Sequence, residues 1–193
     1  MPLIFLLFAT AGLLDPLTAR LEDSVFLTGD FVQTDTWALT LETGISRGVM
    51  YLAHPNLFRL DFADPPGRIT GCDGASVYTV EPLYSEVIVY GNSSPEGFLH
   101  LLRRAGDEGM DISGETADGL VTVTVRGDLG GGISTLRVRY SVSDSLPDLF
   151  YTSDVNGNTT EWALSGLETR RQVPEGLFDM PVPDGYSVVS GDE

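Results

Sequence analysis

The chain has 193 residues, 42% of them hydrophobic, which is one ordinary domain with enough apolar material for a core. Its 11 basic residues, all Arg, face 28 Asp and Glu, for a net charge of −17. Such a surface repels polyphosphates and anionic headgroups, so it argues against nucleic-acid binding and against electrostatic docking on a membrane. A lone cysteine, Cys72, excludes an internal disulfide and any zinc site built on cysteine pairs.

Residues 3–14 read LIFLLFATAGLL, an apolar run about half as long as a spanning helix needs. Ala9-Thr10-Ala11 has the small-residue character of a cleavage site, so residues 1–14 are expected to be an export leader and residues 15–193 the working domain. The leader lacks the usual opening Lys or Arg, and an apolar first helix of the domain is the alternative. Asp15 to Asp23 has helical spacing, with Leu17 and Leu21 four apart and Pro16 in the first turn.

Strand patterns follow. Leu27, Gly29, Phe31 and Gln33 alternate with Thr28, Asp30 and Val32. Val49 to Leu52 reads as strand, and Phe58, Leu60 and Phe62 alternate with Arg59 and Asp61. Asp73-Gly74 marks a hairpin turn. Residues 94–105 are expected to be a second helix, with Ser94 as N-cap, Pro95 first, Phe98, Leu101 and Leu102 as its apolar stripe, and Arg103 and Arg104 at its C-terminal end. Asp118-Gly119 is another hairpin turn, after which Val121, Val123 and Val125 share one face. Val138, Tyr140 and Val142 face away from Arg137 and Arg139. Residues 150–153 and 161–164 flank a hairpin whose Asn156-Gly157 is a strong turn signal. Residues 174–178 suggest a short third helix. Many strands and few helices predict a mainly β, α+β fold: one strongly curved antiparallel sheet whose concave face is covered by helices, with a two-sheet sandwich as the competing arrangement.

Motifs for chemistry fail on context. Gly44-Ile45-Ser46-Arg47-Gly48 matches G-x-S-x-G, but that elbow needs a helix after it and strand follows here. Asp154, Asn156 and Asn158 hint at a calcium loop, yet Thr159 stands where Gly is needed and Ser165 where Glu is needed. Ile69-Thr70-Gly71-Cys72 is like a lipidation box but lies far from the N-terminus, and Cys72 reads as a buried strand residue. Asn92 and Asn158 sit in glycosylation sequons that carry no weight alone. The carboxylates contain no pair that stands out for glycoside chemistry. No catalytic set, metal or cofactor is expected.

Residues 48–60, GVMYLAHPNLFRL, resemble a central motif of the periplasmic outer-membrane lipoprotein carrier family, LolA. Phe31-Val32-Gln33 is similar to the family's early F-x-Q strand, residues 73–78 to its aspartate-glycine strand, and Glu81-Pro82 to the turn after it. The helix at 94–104 and residues 178–185, FDMPVPDG, keep the family's order, so the resemblance covers roughly residues 15–189. It implies an unclosed β-barrel with a helical lid and a periplasmic location. It further implies a carrier that takes acylated lipoproteins from an inner-membrane ABC transporter and passes them to an outer-membrane acceptor lipoprotein. A monomer suits that task. Bare acyl chains cost about 0.8 kcal/mol per methylene in water, so crossing an aqueous space requires an apolar enclosure.

On this reading the acyl-chain cavity is expected to be lined by Phe31, Met50, Leu52, Phe58, Leu60, Phe62, Val138, Tyr140, Trp162 and Leu164, with Phe58 at its mouth. The lid is expected to carry Leu17, Leu21, Phe98, Leu101 and Leu102. Ordinary core packing is the alternative role for each. Where the family has an Arg that latches the lid, this chain has His54, an imidazole with at most two donors; strand-end packing is its alternative. The acceptor LolB needs a cysteine just after its leader, which is absent before Cys72. A glycolipid carrier, a lipid-binding sensor and a hydrolase are the other functions weighed.

Overall fold

Turn chemistry decides where this chain reverses. The computed structural model describes residues 12–54, 57–90 and 98–191, with backbone only for 98–100. Helix α1 (Asp15–Asp23) leads into β1 (Phe26–Thr36), β2 (Thr43–Ala53), β3 (Leu57–Asp64), β4 (Ile69–Cys72), β5 (Val77–Glu81) and β6 (Glu86–Tyr90). Helix α2 (Phe98–Arg104) then connects to β7 (Asp111–Ala117), β8 (Leu120–Arg126), β9 (Ile133–Ser141), β10 (Pro147–Asp154) and β11 (Thr159–Arg170), and β12 (Ser187–Ser190) closes the chain. Asp118 and Gly119, at φ 53 and 79, make the tight β7–β8 turn. In the β10–β11 turn, Asp154 accepts from the backbone amides of Asn156 and Asn158 and from the Asn158 side chain, which occupies it as a turn residue. Among the described residues no cluster of His, Cys, Asp or Glu could hold a metal.

All twelve strands form one sheet in the order β12-β6-β5-β4-β3-β2-β1-β11-β10-β9-β8-β7. Two antiparallel meanders, β1 to β6 and β7 to β11, are stitched together by β1 against β11. The edges β12 and β7 do not meet, so the barrel is unclosed. Among the described residues the one parallel pair, β12 on β6, is an addition to the antiparallel sheet expected from sequence.

Period-two patterns sort the two faces. Val121, Val123 and Val125 point to the same side as Leu136, Val138, Phe150, Phe31, Met50 and Phe62, and all are buried in one cluster. A flat sheet of twelve strands would be on the order of 50 Å broad. Two short helices can roof its concave side only because it bends. The G-x-S-x-G segment lies wholly within β2, with Ser46 paired to Gln33, so no nucleophile elbow exists. Gly48 is opposite Phe31 on one side and Phe62 on the other, and their rings meet edge to face at 5.2 Å.

The opposite, convex face of the first meander is covered by the C-terminal segment. Phe178 packs with Phe26 and Ala53, and Met180 and Tyr186 pack on Tyr78, Val80 and Val87. Arg59 pairs with Asp61 at 2.6 Å and donates to the Leu177 carbonyl at 3.0 Å, tying the segment down. Residues 174–178 are a pair of turns, with Leu177 N donating to Pro174 O and Asp179 N to Gly176 O, and not the third helix expected: Gly176, at φ 71, leaves the helical region. Val142 lies beyond the end of β9 and is exposed, because the β9–β10 turn begins there; it does not join Val138 and Tyr140 inside.

Tyr78 is fully buried under this segment, and its hydroxyl finds no partner among the described residues. Burial, helped by the nearby Asp61 and Asp73, pushes the phenol up to about 12 against the pull of Arg59. The folded-state value is the raised one, so this group's contribution is intact below pH 10 and is lost as pH climbs toward 12. Tyr78→Phe removes an unsatisfied hydroxyl. It is expected to gain up to about 1 kcal/mol at neutral pH and to flatten the alkaline fall, read by urea unfolding at pH 7 and pH 11.

Candidate functional site

The concave face and the two helices enclose a continuous apolar interior. Helix α1 forms because Pro16 opens it and Leu17 and Leu21 fall on one face, where both are buried. Leu13 and Leu14, just before it, pack on the same cluster, and the Tyr140 hydroxyl donates to the Leu13 carbonyl at 2.7 Å. Burial, and secondarily Asp15, holds the Tyr140 phenol above its ordinary range, so it stays a donor. Helix α2 contributes Leu101 and Leu102, followed by Ala105.

The structure brings together most of the residues singled out from sequence. Phe31, Met50, Phe62, Val138, Tyr140 and Leu164 are buried in the interior, and Leu52, Leu60 and Trp162 pack against it half-buried. Leu17, Leu21, Leu101 and Leu102 meet them from above. Phe58 pairs with Leu52 and so faces the same side, but it stays half-exposed and outside the cluster. The side chain of Phe98, the proposed cap of residues 94–97 and residues 1–11 of the leader lie outside the described residues. Val121, Val123, Val125, Leu136 and Phe150 also line the interior. Their alternation could have placed them there, as it did Val138, whereas Leu13 and Leu14 carry no periodic signal that sets them in a core.

The gap beneath α1, lined by Leu21, Ser24, Leu27, Leu52, Ala53 and His54, measures about 10 Å³, the room of about one water. Leu17, Leu21, Leu101 and Leu102 lie against the concave face. Larger recesses lie outside it: one of about 620 Å³ on the convex face, polar with Thr122, Thr124, Arg137 and Arg139, and one of about 830 Å³ beside the β1–β2 turn.

Among the described residues, three exposed polar contacts tie α1 and α2 to their surroundings. Arg103 on α2 reaches Glu22 on α1 at 3.4 Å, Arg20 reaches the Thr169 hydroxyl at 3.5 Å, and Arg104 reaches the Asp128 carbonyl at 3.3 Å. These contacts are exposed, so each is worth less than about 1 kcal/mol. His54 is exposed at the end of β2, on the rim of the small gap. The interior ends on polar groups at the far end of β1, where Trp162 donates to Gln33 at 3.1 Å, and Gln33 and Thr160 both donate to Asp35 at 2.8 Å.

An unclosed, bent sheet with an apolar concave face under two loosely tied helices defines a half-open β-barrel with a helical lid. Residues 23–181 match the family described as outer membrane lipoprotein carrier protein LolA. The chain is also 32% identical over 183 residues to an outer-membrane lipoprotein carrier protein of Actinobacillus pleuropneumoniae serotype 7, covering 92% of this chain and 84% of that one. The chain belongs to the LolA family. Solved structures show the same fold at low identity. An uncharacterized conserved protein from Thermus thermophilus is similar at TM-score 0.59 and 14% identity, with 92% of this chain and 96% of that one covered. A chain of the Pseudomonas aeruginosa MucA/MucB complex is similar at TM-score 0.50 and 10% identity, with 89% and 61% covered.

Proposed function

We propose that this chain is a periplasmic carrier that shields the acyl chains of lipoproteins, receiving them from an inner-membrane ABC transporter and delivering them to an outer-membrane acceptor lipoprotein. The observation that carries the reading is the apolar interior roofed by helices, whose contacts to each other and to the sheet include the exposed ties of Arg103 to Glu22 and Arg20 to Thr169. When the lid lifts, Leu17, Leu21, Leu101 and Leu102 leave the concave face and acyl methylenes take their place. One apolar contact replaces another, so the exchange is nearly balanced, and binding is tight enough to carry and loose enough to release. No step requires a bond to be made or broken, and a carrier without catalysis accounts for the site. From sequence the leader is expected to span residues 1–14; because Leu13 and Leu14 pack on the interior, its end is placed at Ala11, and N-terminal sequencing of the periplasmic form reads the cut.

Purification from a Gram-negative host, followed by mass spectrometry of co-purified lipid, tests the reading. Acylated peptide supports it. Glycolipid alone redirects it to another cargo, and turnover of an ester substrate overturns it. His54, on the rim of the gap, is proposed to act as a weak latch. His54→Arg adds donors at that rim and is expected to slow cargo release severalfold in a stopped-flow assay; an unchanged rate removes His54 from the lid mechanism.

A further inference from the structure

The β1–β2 connection presents apolar side chains to solvent. Leu39 is 96% exposed, Leu41 79% and Trp37 48%, and Val155 from the neighbouring β10–β11 turn is 74% exposed. The finger is held in shape. Trp37 N donates to the Glu42 carbonyl at 3.0 Å, Leu41 N to the Trp37 carbonyl at 2.8 Å, and Ala38 N to the Asn158 side chain at 3.0 Å. Asn158 is itself fixed on Asp154. Leu41 has φ 58, a left-handed conformation that glycine or asparagine would adopt at less cost and that this leucine does not recover by packing. Neither the core nor the turn explains leucines here.

We infer that the β1–β2 finger is a contact site for the interface of a zwitterionic phospholipid bilayer, used for brief touchdown and not for anchoring. Charge selects that occupant. From Thr36 to Leu41 there is no ionisable side chain, so shallow insertion of that segment carries none of its own charges into the bilayer. The finger has no Arg and the chain carries −17, so anionic headgroups are repelled and zwitterionic ones tolerated. Leu39 stands at the apex with the half-exposed indole of Trp37 behind it, the order in which an aliphatic tip enters acyl chains while an indole rests among headgroups. A second copy of the chain is a poorer occupant: four side chains cover on the order of 500 Å², short of the roughly 800 Å² per partner of a stable dimer. Touchdown places the carrier at a bilayer without holding it there. The inference goes beyond the carrier reading and does not require it.

Flotation of the full chain with phosphatidylcholine vesicles is the test, with uptake of a fluorescent fatty-acid probe measured on the same samples. Leu39→Ser with Leu41→Ser is expected to lower vesicle binding about tenfold while probe uptake persists. Val142→Ser, an exposed apolar position at another turn, is expected to change neither. Added phosphatidylglycerol should weaken binding, and brominated lipid should quench tryptophan emission in the wild type more than in the double variant. Equal flotation of wild type and double variant overturns the inference, as does stronger binding to anionic vesicles. So does a photo-crosslinker at position 39 that captures protein and no lipid in cells. Absence of probe uptake by the wild type, with its vesicle binding present and lowered in the double variant, would instead count against the carrier reading alone.

Discussion

Joining Leu21→Cys to Leu52→Cys, by a disulfide or a short bis-maleimide, is expected to lower acyl-probe uptake by about two orders of magnitude, with recovery when the disulfide is reduced. The two side chains line the same gap between α1 and β2, so a bond between them fixes the lid on the sheet. That gap measures about 10 Å³, so while α1 is held down no acyl chain enters there. The native Cys72 is fully buried, and burial raises its thiol above the ordinary range, so it does not compete for the cross-link. Fluorescence of an acyl probe, titrated in oxidised and reduced protein, gives the comparison. Full uptake by the locked form would refute a lid that must move.

Phe31→Ala is expected to cost about 3 to 5 kcal/mol in urea unfolding, the largest stability effect foreseen for a single position. The ring is 2% exposed and lies edge to face with Phe62 at 5.2 Å and 85°, a contact worth about 1 kcal/mol beyond its area. Gly48 sits between Phe31 and Phe62 in register, and a Cβ at Gly48 would run into the Asp61 carbonyl. Gly48→Ala is therefore expected to lose about 1 to 3 kcal/mol by overpacking at the same place. Val32→Ala, the neighbour on the opposite face and 44% exposed, should stay within about 0.5 kcal/mol. A loss below 1 kcal/mol for Phe31→Ala would mean that the interior relaxes around the void and is not the packed core described.

The alternation of Leu60 and Phe62, and of Val121, Val123 and Val125, is a direct imprint of a pleat with one dry face, so these residues could be assigned to the interior before any coordinates. Asp118-Gly119 and Asn156-Gly157 carry turn geometry in their own backbone preferences. What the sequence does not display is contact between aperiodic pieces. Nothing in residues 174–186 announces that Phe178, Met180 and Tyr186 will lie across the convex face, because a segment without repeat has no face to read. Likewise the site residues are legible as apolar and inward, but whether they enclose a void depends on how far Leu17, Leu21, Leu101 and Leu102 descend, which is a matter of volume and not of pattern. The β1–β2 finger is a third case. A tryptophan and two leucines in one turn look like core until their exposure is known.

The seam between β1 and β11 sets the order in which this molecule can be assembled. Gln33 and Trp162, which bond across it, are 129 residues apart. During synthesis or secretion, N-terminus first, the earlier meander is complete long before its partner arrives, and Phe31, Met50 and Phe62 meanwhile lack half of their surroundings. A protein suited to hiding the greasy parts of others thus passes through a stage in which its own are bare, and a holdase bound at that stage would shield it from aggregation.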